Sequence, residues 1–259
     1  MASHVSHHVL YRIANTPINT HPFPHIYVRD VFPEDFYREL RAHLPPAEAY
    51  RNLKAMGRVS ADYPDTRLVF PLTPDNVQAL GEPFITFWTW VAQQFLTGDF
   101  QQLMLSQFRA FLEQRWGRTD NLKFQDEALI VQDHSTYALE PHTDTLKKVL
   151  SFLFYLPADD SMSHLGTSIY APKDTGFICS KGQHYPFDRF HLVTTMPYLP
   201  NALFAFVKTV NSFHGVEPIA APAVRRDLLL YDIKVQNPPE LEQISAMTPG
   251  AAASSRFSF

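Results

Sequence analysis

The second half of the chain is built from short apolar segments separated by turn residues. From Leu122 onward this pattern predicts six strands, at residues 128–132, 148–156, 167–170, 202–208, 214–219 and 226–235. Short strands at this density are typical of a β-sandwich or jelly roll. We therefore expect a mainly β fold for residues 122–236.

The first half of the chain shows the period of amphipathic helices instead. Residues 32–44 begin with Pro33 and two acidic residues, and they place Phe36, Leu40 and Leu44 on one face. Residues 83–96 and 99–116 predict two further helices, parted by a Thr-Gly pair and ended by Gly117. We expect α-helices that flank the sheet and pack their aromatic side chains against it.

The chain of 259 residues can bury one sizeable core, so we predict a single domain spanning 1–259. In this interpretation residues 1–121 are a mostly helical N-terminal support, and residues 237–259 are a C-terminal tail. We interpret the histidines near the N-terminus, His4, His7 and His8, as incidental residues of a flexible start, with a small metal-binding cluster as the alternative.

Two polar segments interrupt this organisation. Residues 171–200 show little periodicity, and long loops in compact domains are commonly functional, so we expect a loop that covers the substrate. Residues 51–74 are also polar and rich in turn signals. We interpret them as a charged surface loop, with a loop over the active site as the alternative.

Charge and cysteine content narrow the class of function. A net charge of -4 without an extended basic tract argues against nucleic-acid binding. The single cysteine, Cys179, excludes an internal disulfide framework and a cysteine-based zinc site. The sequence carries no signal-peptide pattern and no apolar run long enough to cross a bilayer, so we expect a cytoplasmic protein. Its expected partner is a small molecule; the oligomeric state stays open.

The candidate chemistry lies around a His-x-Asp pair. Side chains two residues apart on an extended segment point the same way, so His142 and Asp144 can bind one metal ion. A third ligand, His214, follows after a long gap, and two arginines come shortly after it. This is the ligand set of a non-haem Fe(II) site of the 2-His-1-carboxylate type. The alternative is that these are ordinary polar residues of a turn and a loop.

The residues around these ligands carry a family resemblance. An apolar strand at 201–207 leads into Ser212-Phe213-His214-Gly215-Val216, and Arg225-Arg226-Asp227-Leu228 opens another strand. This order resembles the Fe(II)- and 2-oxoglutarate-dependent dioxygenases, in particular their prolyl-hydroxylase-like branch, over roughly residues 128–235. The resemblance implies a double-stranded β-helix (jelly roll) core. It also implies that His142, Asp144 and His214 bind Fe(II), with 2-oxoglutarate and O2 as co-substrates.

The same resemblance implies residues that hold 2-oxoglutarate. Arg225 would pair with its distal carboxylate, because a guanidinium offers a planar fork to both oxygens. Arg226 is the competing candidate, since the two arginines point to opposite faces of the strand. Arg225 is favoured because it puts Asp227 where the family has a small polar residue and Leu228 where it has an apolar one, although an aspartate there departs from the pattern. Tyr155 would reach the same carboxylate, and Gln132 would supply a further contact.

The implied activity is hydroxylation of an unactivated C–H bond with release of succinate and CO2. Asp144 favours hydroxylation, since related halogenases have a small residue there. The expected substrate is a small metabolite or natural-product intermediate, with a peptidyl or protein side chain as the alternative. Two other classes stay open: a cupin-type metal enzyme that does not use 2-oxoglutarate, and a non-catalytic jelly-roll binding protein.

Overall fold

The protein forms two antiparallel β-sheets that face each other, with helices on the outer side of the larger sheet. In this computed structural model the described residues are 2–59, 63–179 and 182–240. Most of the predicted tail, from residue 241 onward, lies outside them, as do residues 180–181 of the predicted covering loop.

Eleven strands build the two sheets in the described part of the chain. The strands are β1 (His25–Val28), β2 (Arg51–Asn52), β3 (Arg67–Pro71), β4 (Phe124–His134), β5 (Leu139–His142), β6 (Lys148–Tyr155), β7 (Thr167–Pro172), β8 (Phe190–Met196), β9 (Ala202–Val207), β10 (His214–Val216) and β11 (Arg225–Val235). The larger sheet has the order β1-β9-β6-β11-β4-β3-β2, and the smaller has the order β5-β10-β7-β8. Strands distant in sequence are therefore neighbours, as a jelly roll requires, and the predicted fold is confirmed.

Six helices in the described residues cover the outer face of the larger sheet. Aromatic side chains such as Phe36 and Trp88 join Phe152 and Tyr231 of the sheet in the main core. Thr73 and Thr97 cap the third and fifth helices by accepting a hydrogen bond from a backbone N–H three residues on. The helices are α1 (Ala2–Ala14), α2 (Glu34–Ala42), α3 (Pro74–Ala79), α4 (Phe84–Phe95), α5 (Gly98–Gln107) and α6 (Arg109–Trp116). None of them has the length and apolarity needed to cross a lipid bilayer.

The structure corrects two predictions for the N-terminal half. The start of the chain is helix α1 and not a flexible segment, because Val5, Val9 and Ile13 recur every four residues and are buried. The helix expected over 99–116 is two helices, since Phe108 between them has φ -102° and ψ 12°. This half also supplies three strands, β1 to β3, to the larger sheet.

The predicted loops are also shorter than expected. The range 171–200 contains the end of β7, a 3-10 turn at Phe187–Arg189 and the whole of β8. The range 51–74 contains β2 and β3. Of the described residues between β2 and β3, four line the cavity between the sheets: Leu53, Arg58, Val59 and Tyr63. This placement favours the alternative, a loop at the active site, over a plain charged surface loop.

Strand β11 shows how the larger sheet separates its two faces. Leu229, Tyr231 and Ile233 belong to the core under the helices. Their neighbours Leu230 and Asp232 line the cavity on the other face, as the period of two in a strand requires. Every side chain of β11 that faces the cavity therefore lies on the same face of the strand as Leu230.

Asn201, at the start of β9, ties this sheet to the segment before α2. It is buried with φ 55°, its Oδ1 accepts from the Phe32 N–H at 2.9 Å, and its Nδ2 donates to the Phe32 carbonyl at 2.8 Å. We expect Asn201→Ala to lower the free energy of unfolding by about 2–3 kcal/mol, because two buried backbone groups lose their partners. Urea titration followed by circular dichroism measures this. The exposed Asn15→Ala is the control, and equal losses for both variants would contradict the argument.

Candidate metal centre and its cavity

Three potential metal ligands converge at one end of the space between the sheets. His142 is the last residue of β5, Asp144 follows two residues later, and His214 is the first residue of β10. Strands β5 and β10 pair antiparallel with His214 directly opposite His142. One ligand atom from each of the three side chains lies within 4.8 Å of the others. The fold thus assembles the predicted triad from two adjacent strands and the turn after one of them.

Both imidazoles are oriented by backbone hydrogen bonds. The Nδ1 atom of His142 lies 2.9 Å from the Glu140 carbonyl oxygen, and Nδ1 of His214 lies 3.0 Å from the Ser212 carbonyl oxygen. A carbonyl can only accept, so Nδ1 carries the proton and the Nε2 lone pair is left for a metal. Burial lowers the pKa of both histidines, most strongly for His142, which also feels the neighbouring imidazoles. The neutral form that binds metal is therefore the favoured one.

The carboxylate ligand is held by a serine and a lysine. Ser151 donates to Asp144 Oδ2 at 2.8 Å, and Lys148 Nζ lies 3.3 Å from Asp144 Oδ1 and 3.0 Å from Asp232 Oδ2. Burial alone would raise the pKa of Asp144, but Lys148 outweighs it together with the Ser151 hydrogen bond, so the pKa lies below its ordinary value. Burial likewise raises the pKa of Asp232, while Lys148 favours its ionised form. Two neutral imidazoles and an ionised carboxylate form a donor set that suits Fe(II).

A buried lysine fixes the turn between the first two ligands. Lys208 Nζ donates to Thr143 Oγ1 at 2.8 Å and to the carbonyls of Thr209 and Cys179 at 2.9 and 3.3 Å. Thr143 in turn donates to the Cys179 carbonyl at 2.8 Å. Burial lowers the pKa of Lys208 to about 8. No local pattern indicates this support, because Lys208 follows an apolar strand that is distant from His142 along the chain.

The ligands open on a cavity of about 330 Å³ between the two sheets. Strand register arranges the inner face of the larger sheet in rows across β4, β11 and β6. The row that contains Ser151 lies nearest the metal ligands, because Ser151 donates to Asp144, and all three of its residues are polar. The next row is apolar, and a charged pair lies at the far end. From the metal end the rows are Glu127, Asp232 and Ser151; then Leu129, Leu230 and Leu153; then Val131, Leu228 and Tyr155; then Asp133 and Arg226.

Two arginines share one carboxylate at the far end of the cavity. Arg67 grips Asp133 with two hydrogen bonds, Nε to Oδ1 at 2.6 Å and Nη2 to Oδ2 at 2.8 Å. Arg226 Nη1 donates to the same Oδ2 at 2.8 Å. Arg226 and Asp133 are fully buried, and Arg226 Nε has no hydrogen-bond partner among the described residues. This group, the far-end cluster, therefore retains one positive charge and one unused donor.

Thr167 and Tyr155 connect the far-end cluster with the cavity. Arg226 Nη2 lies 3.4 Å from Oγ1 of Thr167, which lines the cavity. The hydroxyl of Tyr155 accepts from the Thr167 N–H at 3.2 Å, and its ring lies 6.0 Å from the Arg226 guanidinium carbon. Tyr155 thus lies on the cavity side of the sheet, where its predicted contact requires it.

Arg225 and Gln132, by contrast, lie on the other face of the sheet. The side chain of Arg225 is 53% exposed, and its Nε pairs with Asp227 Oδ2 at 3.0 Å. Gln132 is opposite Asp227 in the strand register and shares its parity with Ile130 of the helix-side core. A shift by one residue moves a side chain to the opposite face. The predicted contacts of Arg225 and Gln132 with 2-oxoglutarate do not fit this placement, and Arg226 takes the position on the cavity side.

Two loops meet at the rim beside the metal ligands. His184, from the segment between β7 and β8, forms a backbone bridge with His142. Its ring centroid lies 4.6 Å from that of His142 and 6.4 Å from that of Tyr63, which belongs to the other loop. Gly182 has φ 72°, and a Cβ there would come within 3.0 Å of Thr145. The loop expected to cover the substrate thus reaches the rim, where Gly182 and His184 line the cavity.

Comparison with known proteins supports the fold. No protein-family model matches the sequence, and no curated protein matches it. Among solved structures, a prolyl hydroxylase from Trichoplax adhaerens, in complex with a hypoxia inducible factor peptide fragment, is similar at 10% identity. That alignment covers 93% of each chain with a TM-score of 0.50, which confirms the jelly-roll architecture.

Two further solved structures are similar over most of the chain. A Pseudomonas putida prolyl-4-hydroxylase has 16% identity, with 87% of this chain and 96% of that chain covered and a TM-score of 0.46. HygX from Streptomyces hygroscopicus, with nickel, 2-oxoglutarate and hygromycin B bound, has 11% identity, with 82% and 83% covered and a TM-score of 0.44.

The triad can be tested by metal binding alone. We expect His142→Ala, Asp144→Ala and His214→Ala each to weaken Mn(II) binding at least about 100-fold, because each removes one of three protein ligands. Anaerobic calorimetric titration measures the affinity, and circular dichroism checks that the fold is kept. His184→Ala is the matched control, since its imidazole lies beside the site but outside the ligand group. Undiminished binding by any triad variant would remove that residue from the site.

Proposed function

We propose that this protein is an Fe(II)- and 2-oxoglutarate-dependent oxygenase that hydroxylates an unactivated C–H bond. The observation that carries the proposal is the pairing of two features in one cavity. At one end, His142, Asp144 and His214 bring their ligand atoms within 4.8 Å of one another. At the other end, the far-end cluster offers a buried positive charge that suits an anionic co-substrate.

The three ligands would hold Fe(II) and leave other coordination positions free. Bound there with 2-oxoglutarate and O2, the metal supplies the oxidising chemistry, with succinate and CO2 as co-products. The protein supplies orientation: backbone carbonyls fix the two imidazoles, and Ser151 and Lys148 fix Asp144. No side chain need act as an acid or base in this scheme.

Arg226 is the residue we assign to the distal carboxylate of 2-oxoglutarate, in the role that the sequence had suggested for Arg225. Its side chain lies on the same face of β11 as Leu230 and contacts Thr167 of the cavity lining, and Asp133 neutralises only one of the two arginines it binds. Thr167 and Tyr155 add hydroxyl groups next to it. The rows of leucine and valine between the two ends make this part of the cavity wall apolar, and a less polar surrounding strengthens charged hydrogen bonds nearby.

The size of the cavity favours a small substrate. About 330 Å³ is near the lower end of the range for ligand pockets, and the co-substrate must share that space. A small metabolite or natural-product intermediate fits this better than a folded partner. A peptide side chain reaching in from the rim is the second candidate.

Succinate formation tests the function. With Fe(II), 2-oxoglutarate and O2, we expect the wild-type protein to form succinate slowly, and faster when a metabolite library contains the substrate. His214→Ala should abolish both rates. A protein that binds Fe(II) through the triad but forms no succinate under any condition would instead belong to the cupin-type class, and one that binds no metal would be a binding protein.

The arginine assignment can be tested by 2-oxoglutarate binding. We expect Arg226→Ala to raise the Kd of the Mn(II)-loaded protein for 2-oxoglutarate about 30-fold or more, because a desolvated charge pair loses one partner. Arg225→Ala is the control and should change the Kd less than about twofold, since its side chain is outside the cavity. Anaerobic calorimetry measures both. Arg226→Lys, which keeps the charge, should lie between them, and the reverse ranking of the two alanine variants would return the role to Arg225.

A further inference from the structure

We propose that the substrate carries a carboxylate, and that Arg58 and Lys234 bind it at the open end of the cavity. This inference rests on the proposed function and adds the chemical class of the substrate. It starts from a second group of two cations on one carboxylate, Arg58, Glu127 and Lys234, which we call the rim cluster.

The rim cluster is built like the far-end cluster but is accessible. Arg58 Nη2 lies 2.6 Å from Glu127 Oε1, and Lys234 Nζ lies 2.7 Å from Glu127 Oε2. Each carboxylate oxygen thus has its own cation, and one positive charge is left over. All three side chains line the cavity. The side chains of Arg58 and Lys234 are 30% and 15% exposed, whereas Arg226 at the far end is fully buried.

The strand register places the rim cluster close to the metal ligands. Glu127 is opposite Asp232, and Asp232 is opposite Ser151, which donates to Asp144. Two strand spacings therefore separate Glu127 from Ser151, about 10 Å. A small molecule whose carboxylate binds Arg58 and Lys234 would span from the rim to the metal site. The carbon atoms farthest from its carboxylate would then lie nearest the metal.

Within the rim cluster, one of the two positive charges lacks a counter-ion. The far-end cluster also has one positive charge, which in the proposed function the distal carboxylate of 2-oxoglutarate balances. The charges at the metal end are separate from both: Asp144, Lys148 and Asp232 lie beside the ligands, and Lys208 lies behind Thr143. The rim cluster keeps its single positive charge. A monoanionic substrate completes the balance, while a neutral or cationic one would leave a charge desolvated when the rim is covered.

The other interpretation is that the rim cluster only ties β4, β11 and the loop after β2 together. The two interpretations differ in what Glu127 does. If Arg58 and Lys234 bind substrate, Glu127 competes with the ligand for both cations, and Glu127→Gln should strengthen binding. If the cluster is only structural, removing any of its three charges should weaken binding or leave it unchanged.

The test uses protein loaded with Mn(II) and saturating 2-oxoglutarate, and a panel of monocarboxylic acids of about three to eight carbons, each with its primary amide. Paramagnetic broadening of ligand proton signals by Mn(II) reports binding near the metal without turnover. We expect acids to bind and amides not to. Arg58→Gln and Lys234→Gln should each weaken acid binding about tenfold, and Glu127→Gln should tighten it. Arg118→Gln, whose exposed side chain pairs with Asp120 at the surface, changes the total charge equally and should have no effect.

Several outcomes would overturn the inference. These are amides that bind as well as acids, a panel in which no acid binds, or acids whose binding does not depend on Arg58 and Lys234. Weakened acid binding by Glu127→Gln would also count against it. Tighter binding of alkyl phosphates than of acids would do so as well, because an alkyl phosphate carries a second negative charge and the rim cluster has one positive charge to balance. These results leave the proposed function standing as long as Mn(II) binding depends on the triad; loss of that dependence would overturn the function itself.

Discussion

The metal site depends on the close approach of two backbones, β10 and β5. A Cβ atom at Gly215 would lie 2.4 Å from the Leu139 carbonyl oxygen, so only glycine permits this spacing next to a ligand. The approach lets His214 pair directly with His142 and brings their rings to 4.4 Å between centroids. The pairing of two strands that are distant in sequence therefore brings the ligands together. The side chains then supply the ligand atoms. Support from Ser151 and Lys208 acts on a geometry that the backbone has already fixed.

The sequence contains enough information for the triad but not for the co-substrate contacts, and the reason is physical. His142 and Asp144 can be recognised because a spacing of two fixes their common side whatever the strand's register. Arg225 and Arg226 are adjacent, so they lie on opposite faces of their strand. Which of the two faces the cavity can be predicted from sequence only where apolar and polar residues alternate. Strand β11 is buried on both faces, with Leu228, Leu229 and Leu230 in succession, so it has no alternation to read. The same holds for β4, where the sequence placed the contact at Gln132 and the structure puts Asp133 on the cavity side.

Two further elements show opposite limits of sequence reasoning. Helix α1 could have been predicted, because Val5, Val9 and Ile13 form an apolar stripe that the nearby histidines obscured. Strand β8 could not, because most of its residues are exposed and its pattern carries no period of two. The rim cluster belongs to a third kind: Arg58, Glu127 and Lys234 come from a loop and two strands, and nothing local to any of them indicates the others.

The far-end cluster and the rim cluster share one design but differ in burial. Arg226 and Asp133 are fully buried, whereas Arg58 and Lys234 reach solvent. The buried arginine of the far-end cluster is thus closed to solvent, whereas the two cations of the rim cluster are partly open to it. Each ligand then meets a positive charge already held in place by a protein carboxylate, which lowers the cost of ordering long side chains on binding. Sharing one carboxylate between two cations would thus give each proposed site both orientation and one unbalanced charge for its ligand.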